Sequence, residues 1–152
     1  MTNPGAQASA ERQLCGLVNG MAQQIAEHVR KRAAKLGLTA PQATALRELT
    51  GPMTMRELAE RMGCEPSNAT FVVDKLENQQ LIERRPHPTD RRAKQLALTP
   101  HGEALREQLL ALLSTDSPLA GLTSEQQRTL HQLLEQAVAY HAVDSSGGRR
   151  ST

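Results

Sequence analysis

Between the short apolar runs LIERR (81–85) and QLALT (95–99) lies HPTDRRAK, residues 87–94, which packs three bases and one acid into eight residues. From Leu81 to Lys94 five bases (Arg84, Arg85, Arg91, Arg92, Lys94) stand against Glu83 and Asp90. That stripe carries +3 on a chain whose formal net charge is only +2, so the remainder is slightly acidic. A local concentration of guanidinium groups on a near-neutral protein suits phosphate. Other chemistry finds less support. The histidines, 28, 87, 101, 131 and 141, are scattered, without HExxH, a His/Cys/Glu cluster or an acid–His–Ser order, so neither a metal site nor hydrolysis is expected. No Walker or Rossmann glycine pattern offers a nucleotide site, no cofactor is expected, and the chain does not read as an enzyme. His28 and Arg32 lie one helical turn apart and read either as a polar exposed stripe or as a seat for a small anionic ligand. Cys15 and Cys64 form no CxxC pair, which argues against a disulfide framework and a zinc ribbon.

With 152 residues, 38% of them hydrophobic and 22% charged, the chain suits one domain able to bury a core. Its longest apolar run, around QLLALLS, is too short to cross a membrane, and MTNPGAQASAER lacks the pattern of a secretory signal; a cytoplasmic location is expected. Phe71 and Tyr140 are the only aromatic residues. That scarcity excludes a single-strand binder that stacks bases on aromatic platforms.

The elements that must position the basic segment are legible from caps and periodicity. Leu14, Val18, Met21, Ile25 and Val29 predict a long first helix from about Ala10 to Leu36, ended by Gly37. Thr39-Ala-Pro-Gln42 and Thr54-Met-Arg-Glu57 have capping-box spacing and open two more helices. The third ends at Gly63, and Pro66 starts a fourth that runs to about Gln80. Leu81–Arg85 and Gln95–Leu98 read as paired strands, the first stopped by Pro86 and Pro88. Thr99-Pro100 and Thr123-Ser-Glu-Gln126 open the last two helices. Residues 1–9 and 143–152 read as loose tails around a single domain of residues 10–142. The expected class is mainly α with a small antiparallel β-hairpin.

A short helix, a tight glycine-containing turn, a second helix and then a basic hairpin is the order of a helix-turn-helix followed by a wing. On the fourth helix, Ala69, Val72, Val73 and Leu76 occupy i, i+3, i+4 and i+7 and should pack inward. Ser67, Phe71, Asp74 and Asn78 then face outward, flanked by Asn68, Thr70 and Lys75. Phe71 is either buried under a neighbouring loop or packs on a thymine methyl. In the second case Ser67, Asn68 and Thr70 bond base edges or phosphates and Lys75 anchors a phosphate.

The segments GLTAPQATALREL (37–49), TMRELAERMGCEPSNATFVVDKLENQQLIERR (54–85) and TDRRAKQLALTPHGEAL (89–105) resemble the MarR family of winged helix-turn-helix regulators. The resemblance spans roughly Leu14 to Val138. It implies a winged helix-turn-helix over residues 38–98 and dimerisation helices from both chain ends, 10–36 and 99–142. It also implies a homodimer on a pseudo-palindromic double-stranded operator. The family's wing-tip arginine falls on Arg92, with Asp90 as the acid that orients it; Arg91 stays open between a solvated charge and a DNA contact. The implied function is a sequence-specific transcriptional regulator, most often a repressor released by a small anionic or phenolic effector. Two other readings remain: a thiol switch at Cys15, which sits where peroxide-sensing members place their cysteine but without their tyrosines, and a helical interaction module that does not read DNA.

Overall fold

Asn3 opens the first helix, its side chain accepting the Gly5 N–H at 3.1 Å, and Pro4 occupies the first helical position. This cap explains why α1 (Pro4–Ala34) starts six residues before the expected Ala10, so that residues 4–9 are helix rather than a loose tail. The computed structural model describes the backbone of residues 3–147 and the side chains of residues 3–141. Residues 148–152 of the expected C-terminal tail lie outside the described residues, and residues 143–147 continue the last helix.

The other elements are α2 (Ala40–Glu48), α3 (Met55–Met62), α4 (Pro66–Asn78), β1 (Ile82–Pro86), β2 (Lys94–Leu98), α5 (Pro100–Ser114) and α6 (Ser124–Gly147). Both predicted capping boxes form: Thr39 with Gln42 (3.3 and 3.0 Å) and Thr54 with Glu57 (3.2 and 2.8 Å). Gly63 ends α3 at φ +66, a left-handed conformation that costs glycine nothing, and the Cys64 N–H returns to the Ala59 carbonyl at 3.1 Å. α4 stops two residues short of Gln80. There Gln80 itself turns left-handed (φ 60), and Leu81 N–H closes on the Leu76 carbonyl at 2.9 Å.

The chain divides into two compact units, one ending at Ser117 and one beginning at Pro118. The first holds the core. Leu46, Leu58, Val73, Leu76, Ile82 and Leu109 are its fully buried large side chains, with Leu49 beside them. Every expected inward residue of α4 (Ala69, Val72, Val73, Leu76) is buried. β1 and β2 pair antiparallel from Ile82↔Leu98 to Pro86↔Lys94. Pro86 is thus the last paired residue, where its missing N–H costs the ladder least. Met53, in the α2–α3 connector, bridges Leu96 through two backbone bonds (3.1 and 2.7 Å), adding a one-residue third edge to the hairpin.

Two helix ends in this unit, those of α2 and α5, are closed by side-chain donors from other helices, as the partial negative charge on free terminal carbonyls favours. Arg106 of α5 donates to the Leu46 (3.0 Å) and Arg47 (3.1 Å) carbonyls, and Arg61 of α3 to that of Glu48 (3.2 Å), so that both close α2. At the end of α5, His28 Nε2 meets the Leu113 carbonyl at 2.8 Å, and Arg32 donates to the Leu112 (3.3 Å) and Thr115 (3.0 Å) carbonyls. α1 uses only its last turns for the core: Val29 and Ala33 are buried, whereas Leu14, Leu17 and Val18 are exposed. In the second unit the Thr123–Gln126 capping box forms, and α6 leaves Leu133, Leu134 and Val138 exposed.

Candidate nucleic-acid interface

α3, a three-residue turn and α4 place one face of α4 outside the core, and the hairpin follows it directly. At the start of α4, Glu65 makes no side-chain cap bond, so the first turn is not closed by its own N-cap; Ser67 and Asn68 are exposed there. Free N–H groups in a helix's first turn favour anions. The Thr70 hydroxyl donates to the Pro66 carbonyl at 2.8 Å, which commits its proton and leaves only lone pairs for an outside donor. Phe71 is 63% exposed, so no loop covers it. Lys75 Nζ sits 4.4 Å from its ring centroid, a cation–π contact that covers part of one ring face and holds the ammonium on the outer side of the helix.

The five-base stripe divides in two. Arg84 on β1 is tied to α4, with Nη2 2.6 Å from Asp74 Oδ1 and Nε 3.1 Å from Glu77 Oε2. Arg85 pairs with Glu83 on its own strand. Arg91, Arg92 and Lys94 are exposed and form no ion pair among the described residues. The cations left for an external anion therefore gather at the wing tip.

That tip is a built turn. His87 Nδ1 accepts the backbone N–H groups of Thr89 (3.2 Å) and Asp90 (3.1 Å), which requires a lone pair on that nitrogen. Asp90 Oδ1 accepts the Arg92 backbone N–H at 3.0 Å. The acid expected to brace an arginine side chain instead braces that arginine's backbone, because a short Asp side chain reaches the N–H two residues on. Replacing His87 by Ala is expected to speed amide exchange at Thr89 and Asp90. His87→Asn, whose side-chain oxygen can take the same N–H groups, should restore protection; equal exchange in all three proteins would exclude this role.

His28 and Arg32 do not form an open anion seat. His28 Nε2 and the Arg32 Nε and Nη2 groups are engaged by the carbonyls of Leu113, Leu112 and Thr115, and the Arg32 side chain is only 16% exposed. Losing the His28 bond through His28→Ala should cost on the order of 1 kcal/mol, read by thermal unfolding. Cys15 is an exposed free thiol on α1, and Cys64 is a half-buried free thiol in the turn before α4. Also on α1, a hydrogen bond from Arg30, backed by the Arg30 and Lys31 charges, holds the exposed Glu27 carboxyl down to about 2. No group of three or more metal-ligating side chains forms among the described residues, and no helix there is long and apolar enough to cross a membrane.

Sequence reasoning missed the Asp74–Glu77–Arg84 bridge between α4 and the wing. The signal was present as two acids three residues apart on α4, followed by paired arginines after the turn, but charge counting treated all the arginines as free.

Comparison with known proteins agrees with this geometry. The model of the MarR family matches residues 38–94. The HTH-type transcriptional repressor MdtR of Bacillus subtilis is 36% identical over 91 residues, 59% of this chain and 59% of that protein. The chain thus matches about three fifths of the length of that relative. The organic hydroperoxide resistance transcriptional regulator of the same organism is 27% identical over 81% of this chain and 83% of its own. Among solved structures, a mutant MarR from E. coli complexed with operator DNA superposes with a TM-score of 0.68 at 26% identity, covering 82% of this chain and 93% of that one. The helix-turn-helix and the wing thus coincide with residues 38–94, the segment of this chain that matches the MarR family.

Proposed function

We propose that the protein is a sequence-specific, dimeric DNA-binding transcriptional regulator, a repressor released by a small ligand. The observation that carries this reading is the division of the basic stripe: Arg84 and Arg85 are paired, while Arg91, Arg92 and Lys94 stand unpaired on a braced tip beside an exposed helix. α4 enters the major groove, with Ser67 and Asn68 toward phosphates and base edges, Thr70 toward a donor on a base edge and Phe71 toward a thymine methyl. Arg92, with Arg91 beside it, enters the adjacent minor groove, where narrow A·T-rich stretches concentrate negative potential. Lys75, held over Phe71, lies within reach of the backbone phosphates.

A second copy is needed to cover the exposed leucines and valines of α1 and α6, and a two-fold pair presents two α4 helices to a pseudo-palindrome. For an effector, the chain offers a cavity of about 310 Å³ where Pro52, Leu98, Glu103 and Arg106 bring together the α2–α3 connector, the wing root and α5. A small anionic or phenolic molecule there favours one arrangement of the wing over another. The test is selection of bound sequences from a random duplex pool by the purified protein, followed by footprinting. A motif with two-fold symmetry is expected; recovery of random sequence would refute sequence reading, and an asymmetric footprint would refute the dimer.

A further inference from the structure

Asp74 lies on the outward stripe of α4 with Ser67, Phe71 and Asn78, and its side chain stays 55% exposed although Arg84 Nη2 holds Oδ1 at 2.6 Å. No other hydrogen bond reaches this carboxylate among the described residues, so Oδ2 is free to accept. An acid on a face turned toward phosphates lowers affinity unless it does something there. Holding Arg84 does not by itself require it, since Glu77 binds the same guanidinium at Nε, 3.1 Å away. Arg84 nevertheless offsets part of the carboxylate's repulsion from DNA and occupies Oδ1, which leaves Oδ2.

We infer that Asp74 is a specificity-determining residue that accepts a hydrogen bond from the N4 amino group of a cytosine in the major groove. This rests on the DNA-reading proposal above. The base edges separate the candidates. Cytosine presents a donor; guanine presents two acceptors and thymine an acceptor, which repel a carboxylate; adenine sets an acceptor beside its donor. Phe71, one turn earlier on the same stripe, is suited to a neighbouring thymine methyl. The helix then reads a pyrimidine step by one apolar and one charged contact.

The test uses the full chain and its Asp74→Ala and Glu77→Gln variants, each selecting from the same random duplex pool. The wild type is expected to prefer cytosine at one position per half-site, by on the order of tenfold or more over other bases. Asp74→Ala, which removes the acceptor, should flatten preference at that position alone and bind non-specific duplex more tightly, having lost a negative charge. Glu77→Gln, which loosens the same arginine but leaves Asp74 in place, should keep the wild-type motif. In a duplex carrying 2-pyrimidinone, which is cytosine without its amino group, at that position, the wild type should lose affinity and Asp74→Ala should not. Identical motifs from wild type and Asp74→Ala, or equal weakening on every sequence, would overturn the inference while leaving DNA reading intact. A wild type that selects no motif removes both, and so marks the failure as lying in the DNA-reading proposal.

Discussion

Gly102→Ala is expected to destabilise the protein by about 3 kcal/mol, lowering the melting temperature by roughly 6–12 °C. A Cβ on Gly102 would lie 2.0 Å from the Leu81 carbonyl oxygen and 3.0 Å from its carbon, and neither is the end of a flexible side chain. The carbonyl cannot swing aside, because it accepts the Thr99 N–H at 3.1 Å. Thr99 is itself fixed, donating its hydroxyl to the Gln80 carbonyl at 2.7 Å and accepting the Gly102 N–H at 3.0 Å. Relief would therefore open the start of α5 and the root of the wing together. Gly51→Ala is the control: its Cβ meets nothing within 4 Å, and its melting temperature should change little. Equal melting of wild type and Gly102→Ala would show that the α5–wing junction is looser than its hydrogen bonds indicate.

The second large effect is on DNA. Arg92→Ala should weaken binding on the order of tenfold at moderate salt and reduce the slope of log affinity against log salt by about 0.9 for each arginine lost. Preference for A·T-rich sequence at the wing's minor-groove position should relax while the major-groove motif persists. The Arg92 guanidinium forms no ion pair among the described residues, so binding breaks none of theirs to use it. Arg84→Ala makes the contrast. It removes no available cation but leaves Asp74 and Glu77 without their guanidinium, so affinity should fall chiefly through repulsion. Fluorescence anisotropy titrations at several salt concentrations separate the two; an Arg92→Ala protein with wild-type affinity and slope would remove Arg92 from the interface.

Much of this architecture was readable from local chemistry. Capping boxes at Thr39, Thr54 and Thr123, glycines at the ends of α1 and α3, and the inward stripe of α4 depend on neighbours within one turn, and all form. What was not readable depends on partners far along the chain. His28 and Arg32 looked like a pair on one helix face until the end of α5, about eighty residues on, supplied its carbonyls. Arg84 belonged to a basic run until α4 claimed it. The role of Gly102 was visible only as a spacing after Thr99, because the backbone it must admit, Leu81, lies well back along the chain on the far side of the wing. Local signals thus located the elements proposed to face DNA, whereas long-range pairing decided which of their charges were still available.

The two backbone bonds between Met53 and Leu96 bear on how far the hairpin can move by itself. They stitch the wing to the segment that carries α3, while Arg84 stitches it to α4. Helix and hairpin are therefore yoked, and a shift of one carries the other with it. In the dimer proposed above, what a ligand can vary is then the stride between two such yoked pairs. On that proposal, mutations that break DNA release without touching DNA affinity should fall outside α3, α4 and the hairpin.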